Sequence, residues 1–468
     1  MKNIISLFSA LWILTNSTMA QSPWVELYRN ISINPDNYQN MQGYIEVGAD
    51  SAYYLLESEG VLNTFGGTVY LRMKKYDGTN WNQMGQDLVR NVENNESHID
   101  FLLTPSNEFY IGMKDSILKY NTTTNVWQSF YVPEFYGGLG ADDSGNVYFI
   151  HRVQGASGAA YSDLSIAKFD NGTVTIEGSL AVDIMMIPRR VNASNKIIYK
   201  NNLFYISIVS QSTNLLYVFK GNSLNGFQKL EQGAPNNSST FFTGFGLSSM
   251  AVSNSGNIFV SYRKPSGNNE ILIAQYDSIN DAWIPFDTTG IHSTFASHNQ
   301  LRFDKNDTLH LIYHGPNDKG FLFKYDGQEW KHIGPKSFWS YNTINYLVRP
   351  HLTFDMNNDI LFSKGFGNSS FPFQVFKYQP GSVGFQDFDL EDKINIYPNP
   401  SKDLLYVEHI PLNATINIYD LTGRAVFSQK YFENNLISID ISTLTEGTYF
   451  LQIEHNGNVS NKKIIVSK

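Results

Sequence analysis

The chain has 468 residues, of which 42% are hydrophobic and 14% aromatic, and its formal net charge is −9. Because no cluster of Lys and Arg offsets this charge, we expect no nucleic-acid partner: the phosphate backbone would be repelled. The chain contains no cysteine, which excludes disulfides, Cys-ligated zinc and thiol catalysis. The high aromatic content favours strands over helices.

Residues 1–20 have the organisation of an export signal. Lys2 supplies a positive charge, residues 4–14 are mostly apolar, and small residues precede the expected cleavage site between Ala20 and Gln21. This pattern predicts a signal peptide. The alternative, a membrane anchor, is disfavoured because the apolar stretch is too short to cross about 30 Å of hydrocarbon.

Between residues 22 and 388 one turn pattern recurs. In its clearest form a strand ends at Tyr325, Asp326 and Gly327 make a tight turn, and Trp330 opens the next strand. Asp-Gly is a strong hairpin signal because glycine adopts a positive φ without steric cost. Looser versions of the pattern follow aromatic residues spaced roughly 50 residues apart, a spacing typical of repeat architectures: Tyr76, Tyr120, Phe169, Phe219, Tyr276, Tyr325 and Tyr378.

Each repeat contains four short alternating strands joined by polar turns, and no amphipathic helical pattern interrupts them. Such repeats are typical of propeller blades. The sequence therefore predicts an all-β fold in which residues 22–388 form a seven-bladed β-propeller, with eight blades as the alternative. We expect residues 24–27 to be a fourth strand that pairs with the last blade and closes the ring; the alternative is a separate N-terminal arm. The Tyr325–Trp330 turn resembles the Asp-box of sialidase-like propellers.

The repeat plan also separates the loops. The first-to-second and third-to-fourth turns are short and should share one face, whereas the second-to-third loops and the connectors between blades are long and should share the other. Four aromatic residues on this long-loop face are candidates for stacking on sugar rings or gripping a peptide; the alternative is that they pack between blades: Phe295, Trp339, Tyr341 and Tyr346.

A second hypothesis is catalytic. The segment 298–310 resembles the His-x-Asp-x-x-Gly-x-Leu-His pattern of propeller polysaccharide lyases, although Asp307 replaces the glycine and a single repeat matches. The resemblance implies that Arg offsets a uronate carboxylate while Tyr or His moves the proton. The alternative is that the histidines belong to the scaffold, and whether the protein is an enzyme stays open. The residues that would carry this chemistry are His298, Tyr313, His314, Arg349 and His351. We expect no metal ion and no cofactor.

The composition changes after an acidic stretch, and we place a linker at 389–393. Residues 394–468 contain four motifs in order, at 397–407, 418–427, 444–453 and 462–468: YPNPSKDLLYV, IYDLTGRAVF, LTEGTYFLQI and KKIIVSK. This region resembles the type A C-terminal sorting domain of the type IX secretion system.

The resemblance implies a small immunoglobulin-like β-sandwich that engages the type IX secretion machinery and carries cargo across a bacterial outer membrane. It also implies that the domain is commonly removed by a sortase-like peptidase, with the cargo released or attached to a surface glycolipid. We therefore expect a secreted or cell-surface protein. The alternative is an ordinary sugar-binding sandwich.

Overall fold

The computed structural model describes the chain from residue 24 to residue 468 with several gaps, and it contains strands β1 to β35 and no helix in the described ranges. The all-β prediction is confirmed for this part of the chain. The predicted signal peptide and the predicted linker lie outside the described residues. Those residues are 24–30, 39–63, 66–93, 99–113, 115–153, 163–180, 195–209, 216–230, 248–263, 270–286, 288, 291, 297–315, 320–334, 350–364, 373–378, 395–410, 414–431, 435–455 and 458–468.

Among the described residues up to 378, seven four-stranded sheets follow one another, and six of them use four consecutive strands joined as antiparallel neighbours. Sheets 1 to 3 are β2 (Gln39–Val47), β3 (Tyr53–Asn63), β4 (Gly66–Tyr76) and β5 (Trp81–Glu93); β6 (Asp100–Leu103), β7 (Phe109–Met113), β8 (Ser116–Asn121) and β9 (Val126–Tyr131); and β10 (Gly140–Ala141), β11 (Val147–Val153), β12 (Asp163–Asp170) and β13 (Thr173–Leu180).

Sheets 4 to 6 repeat the plan. They are β14 (Lys196–Lys200), β15 (Leu203–Val209), β16 (Leu216–Asn222) and β17 (Gly226–Lys229); β18 (Ser249–Val252), β19 (Ile258–Arg263), β20 (Ile271–Asp277) and β21 (Ala282–Phe286); and β22 (Ser297–Phe303), β23 (Leu309–His314), β24 (Gly320–Tyr325) and β25 (Trp330–His332).

Sheet 7 combines the two ends of this region. It contains β26 (His351–Phe354), β27 (Ile360–Lys364) and β28 (Phe373–Tyr378), and its outer strand is β1 (Trp24–Asn30). The N-terminal strand therefore pairs with the last sheet, as the sequence predicted. Tyr378 ends β28, so the aromatic turn that the sequence analysis placed after it lies outside the described residues.

Neighbouring sheets pack on each other through apolar clusters. Both faces of these sheets carry apolar side chains, and each face is buried against the next sheet. Such clusters join sheet 1 to sheet 2, sheet 2 to sheet 3, and so on to sheet 6. Ile45 and Leu55 of sheet 1 also pack against Phe373 and Val375 of sheet 7. Because the first sheet contacts the last, the sheets surround a central axis in a propeller-like arrangement.

The turns between first and second strands are tied to each other. In three of them the fourth residue has a positive φ, which Asn and Asp tolerate better than most side chains: Asn107 at 60°, Asp307 at 63° and Asn358 at 68°. Each side chain accepts a hydrogen bond from a backbone N–H in the turn of the preceding sheet, at 2.8, 2.6 and 3.0 Å respectively. These turns form a hydrogen-bonded rim, and Asp307 fits it in place of glycine.

One feature of the loops differs from the prediction. In sheets 1 and 2 the second and third strands are separated by only two residues, because Asn63 pairs with Gly66 and Met113 pairs with Ser116. In sheet 1 the strands themselves are longer, since β3 and β4 span 11 residues each and β5 spans 13. The β3–β4 ladder therefore runs without interruption from the Tyr53–Tyr76 pair to the Asn63–Gly66 pair.

The C-terminal strands belong to one of the two compact units into which the chain divides. Their two sheets share one apolar core that includes Leu405, Ile416, Leu451 and Ile464, all at most 1% exposed. The three-stranded sheet has the order β29 (Asn395–Tyr397), β30 (Leu404–Ile410) and β33 (Asn435–Asp440); the four-stranded sheet has the order β32 (Ala425–Lys430), β31 (Thr415–Tyr419), β34 (Gly447–His455) and β35 (Asn458–Val466).

The part of the chain that the structure describes contains no helix that could cross a membrane.

Candidate functional site

Polar side chains from the inner strands of sheets 1, 6 and 7 meet near the axis. Arg302 donates from Nη1 and Nη2 to Oε1 and Oε2 of Glu46, each at 3.0 Å. Nη1 of Arg302 also donates to the carbonyl oxygen of Leu352 at 2.9 Å, and the Thr353 hydroxyl donates to Glu46 Oε2 at 3.1 Å. One carboxylate thereby joins three sheets. We call Glu46, Arg302, Thr353 and His351 the inner-strand cluster.

His351 completes this cluster. Its Nε2 lies 3.5 Å from Oε1 of Glu46, and its ring packs edge-on against Tyr44 with centroids 5.4 Å apart. Burial lowers the pKa of His351 to about 4; the charge of Glu46 opposes this shift, whereas the charges of Arg302 and Lys196 add to it. At neutral pH His351 is therefore uncharged.

Glu46 is ionised at neutral pH. Burial acts to raise the pKa of its carboxyl, but the Arg302 guanidinium, His351 and the Thr353 hydroxyl outweigh this, and the net pKa lies below the usual value. A carboxylate with a two-point guanidinium contact and a hydroxyl donor is well satisfied. The inner-strand cluster is therefore suited to holding three sheets together rather than to proton transfer.

Three members of the inner-strand cluster lie at the short-turn end of their strands. Glu46, Arg302 and Thr353 each come one residue before the end of their strand, where the short first-to-second turn begins. His351 starts β26, but this strand spans only four residues. A strand this short brings its first residue within reach of the turn end.

The inner-strand cluster should make stability depend on pH. The folded-state pKa values of His351 and Glu46 are both lowered, so the unfolded chain binds protons that the folded chain does not, and acid favours unfolding. The loss of stability due to His351 starts as the pH falls below its unfolded pKa of about 6.5 and is complete near pH 4. This loss is at most about 3 kcal/mol in the free energy of unfolding. We expect His351→Leu to lose less stability than the wild type between pH 7 and pH 4, measured by urea unfolding. Equal losses in both proteins would contradict this expectation.

The residues predicted for lyase chemistry occupy different surroundings. Tyr313 is fully buried, stacks on Phe321 and Phe323 at centroid distances of 5.2 and 6.0 Å, and has a pKa raised by burial. His314 is the buried last residue of β23 and pairs with Ser297 at the start of β22. His351 instead faces Glu46. The catalytic hypothesis therefore stays a prediction, and the contacts of Tyr313 are those of a core residue.

His298 belongs to β22, and the five remaining candidate binding or catalytic residues lie outside the described residues. These are Phe295, Trp339, Tyr341, Tyr346 and Arg349. Their roles stay predictions.

Sequence reasoning missed a second polar cluster on the face of sheet 1 that packs against sheet 7. Glu57 and Glu59 of β3 are each 1% exposed. Arg72 contacts Glu59 at 2.5 Å and Asp87 at 2.8 Å, while Lys74 Nζ contacts Glu57 at 2.9 Å. The sequence contained a signal for this cluster. Acidic residues occur at every second position of Glu-Ser-Glu (57–59), and basic residues do so in Arg-Met-Lys (72–74). Because these strands pair with each other, the opposite charges lie on one face of the sheet.

A buried lysine lies in the neighbouring sheet. Lys364 is 5% exposed at the end of β27, with Nζ 5.2 Å from the centroid of the Phe376 ring. Burial lowers the pKa of Lys364 to about 7, and the nearby carboxylate of Glu26 opposes this shift. Its amine is therefore partly neutral near physiological pH, and desolvation is the physical cause.

No group of three or more His, Cys, Asp or Glu side chains that could hold a metal ion occurs within the described ranges.

Comparison with known families identifies the C-terminal region. Residues 395–467 match the family model Por_Secre_tail, described as a secretion system C-terminal sorting domain. The resemblance to the type IX sorting domain is thereby confirmed. No curated protein matches the chain.

Several solved structures are similar at low identity. PorZ of Porphyromonas gingivalis, described as an essential bacterial surface component of the type IX secretion system, has a TM-score of 0.43 and 14% identity over 89% of this chain and 58% of its own. The extracellular domain of a hybrid two-component system from B. thetaiotaomicron has a TM-score of 0.43 and 12% identity over 94% of this chain and 59% of its own. A protein of unknown function from Dyadobacter fermentans has a TM-score of 0.43 and 10% identity over 76% of this chain and 99% of its own. The chain therefore spans less than two thirds of the length of the first two.

The sorting domain determines where the protein goes. A chain with this domain is exported across the outer membrane to the cell surface or the medium, and it interacts with the type IX secretion machinery. The predictions of export route and localisation are confirmed.

Proposed function

We propose that this exported protein is a seven-bladed β-propeller that binds a glycan or a protein through its long-loop face, followed by an immunoglobulin-like sandwich that serves as the sorting domain. Seven four-stranded sheets with β1 in the last of them support the propeller. The two sheets around one core, at the position of the family match, support the sandwich.

The observation that carries the binding role is the difference between the two ends of the strands. At one end, short turns are hydrogen-bonded to each other in a rim. At the other end the chain crosses between sheets through longer segments, and long loops on a rigid scaffold are the usual place for ligand binding. The longest of these segments are residues 181–195, 230–248, 287–296 and 333–350.

The aromatic candidates belong to these segments by sequence. Trp339, Tyr341 and Tyr346 fall in the last of them, and Phe295 falls in the one before. Flat aromatic rings cover a sugar face at low cost in side-chain entropy. They are therefore the proposed stacking residues.

A glycan array with the exported protein tests this function, and Trp339→Ala tests the proposed residue. We expect the substitution to weaken binding by about 1–3 kcal/mol, the usual contribution of one important aromatic contact, without changing the melting temperature. Trp339→Phe is the matched control, because it keeps a ring and should retain most of the affinity. A fall of many degrees in the melting temperature of Trp339→Ala would instead identify a packing residue.

A further inference from the structure

The four-stranded sheet of the sorting domain carries an exposed aromatic ring on its outward face. Along β34 the side chains alternate between core and surface: Tyr449 and Leu451 are buried, whereas Phe450 between them is 44% exposed. Outward positions in a two-sheet sandwich are normally polar. Phe450 departs from this pattern, which the other outward positions of the strand follow: Thr448, Gln452 and Glu454.

The strands on both sides of β34 extend this apolar position into a patch. Phe450 lies directly opposite Tyr419 of β31 and Lys463 of β35. Ile465, two residues after Lys463 on the same face, is 37% exposed. It lies diagonally across from Phe450, at a separation that an aromatic ring can bridge. We call Tyr419, Phe450, Lys463 and Ile465 the outer patch.

The core of the sandwich does not account for the outer patch. The same three strands supply Ile418, Leu451 and Ile464 to that core, each at most 1% exposed, from the opposite face of the sheet. The ring of Phe450 therefore adds exposed apolar surface without adding to the core. Contiguous exposed apolar residues on a soluble domain mark interaction surfaces, and aromatic residues are enriched there.

The charge of the outer patch is opposite to that of the chain. The chain carries a net charge of −9, but residues 455–468 contain three lysines and no Asp or Glu. One of these lysines is Lys463, whose side chain is exposed beside Phe450. A local positive charge next to an apolar centre favours a partner with a complementary acidic rim.

We propose that the outer patch is the face through which the sorting domain docks on a protein of the type IX secretion machinery, against an apolar depression that has a carboxylate at its rim. The family match establishes that this domain interacts with the machinery, and the outer patch assigns the contact to one face. Phe450 is the anchor, because a few aromatic side chains carry most of the energy of an interface. Lys463 orients the domain through its charge. The inference does not depend on the ligand of the propeller.

Phe450→Thr in the full-length chain tests the docking face, because threonine keeps the strand propensity and removes the ring. Immunoblots of medium, cell surface and periplasm should show export reduced about tenfold or more, the loss that removal of an aromatic anchor causes in affinity. The melting temperature of the purified variant should stay unchanged, and Lys463→Glu should also reduce export. Leu404→Thr is the matched control: Leu404 is likewise 44% exposed, but it lies in the three-stranded sheet opposite Asp440, and its replacement should leave export normal.

Photo-crosslinking identifies the partner directly. Phe450→p-benzoylphenylalanine should crosslink to a component of the secretion machinery in cells, whereas the same replacement of Leu404 should not. Normal export of Phe450→Thr overturns the inference, and so does a crosslink only to a second copy of this chain. Binding to phospholipid vesicles that Phe450→Thr abolishes, without a crosslink to the machinery, assigns the patch to a membrane surface and also overturns it. If Phe450→Thr lowers the melting temperature, Lys463→Glu decides, and its normal export overturns the inference.

Discussion

Deletion of residues 394–468 is expected to stop the protein in the periplasm while the sheets formed by strands β1 to β28 stay folded. The sorting domain is the part of the chain that addresses the protein to the secretion machinery. Its strands form a compact unit around their own core, in which Val407, Ile418 and Ile453 are fully buried. A unit with its own core can be removed without opening the core of another.

Cell fractionation followed by immunoblotting measures the first part of this result, and circular dichroism of the truncated protein measures the second. Leu421→Ser in the full-length chain is a suitable control, because Leu421 is 70% exposed in the same domain and its replacement should leave export unchanged. Truncated protein in the medium at the wild-type level would refute the sorting role.

Local signals in the sequence were enough to predict the order of the sheets. The Asp77 and Asp326 turns form as expected, because each Oδ1 accepts hydrogen bonds from the backbone N–H groups two and three residues on, which is a property of four consecutive residues. The partner of β1 was also predictable. A single strand at the start of a repeat array has no hairpin neighbour of its own, so it is expected to pair with the last repeat, which lacks its fourth strand.

Contacts between distant parts of the chain could not be predicted in the same way. The Glu46–Arg302 pair joins residues that are 256 positions apart, and neither neighbourhood contains a motif that indicates the other. The positive φ of Gly138 likewise depends on distant residues. Its amide donates a hydrogen bond to Oδ2 of Asp100, and a Cβ at this position would lie 2.8 Å from Cδ1 of Ile150. Periodicity determines which face a side chain occupies, but it does not determine which charge comes opposite to it.

We also expect a large loss of stability when the polar cluster of sheet 1 loses one of its charges. Arg72→Met leaves the carboxylate of Glu59 buried without its 2.5 Å guanidinium partner, and Glu59 is 1% exposed. Breaking a buried pair by removing one partner typically costs 3–5 kcal/mol, because an uncompensated charge stays in the interior. We expect the free energy of unfolding to fall by about 3 kcal/mol, since the Arg72 side chain keeps 15% exposure. Urea unfolding at pH 7 measures this change.

Two further variants separate the burial of the charge from the loss of a side chain. Arg72→Met combined with Glu59→Met should recover most of the stability, because apolar residues can replace a buried ion pair at little cost. Arg29→Met, which breaks the pair between Arg29 and Glu26, should change the free energy of unfolding by less than about 1 kcal/mol, since these side chains are 52% and 32% exposed. If the double variant is as unstable as Arg72→Met, the buried charge is not the cause, and packing of the long Arg72 side chain on sheet 1 explains the effect instead.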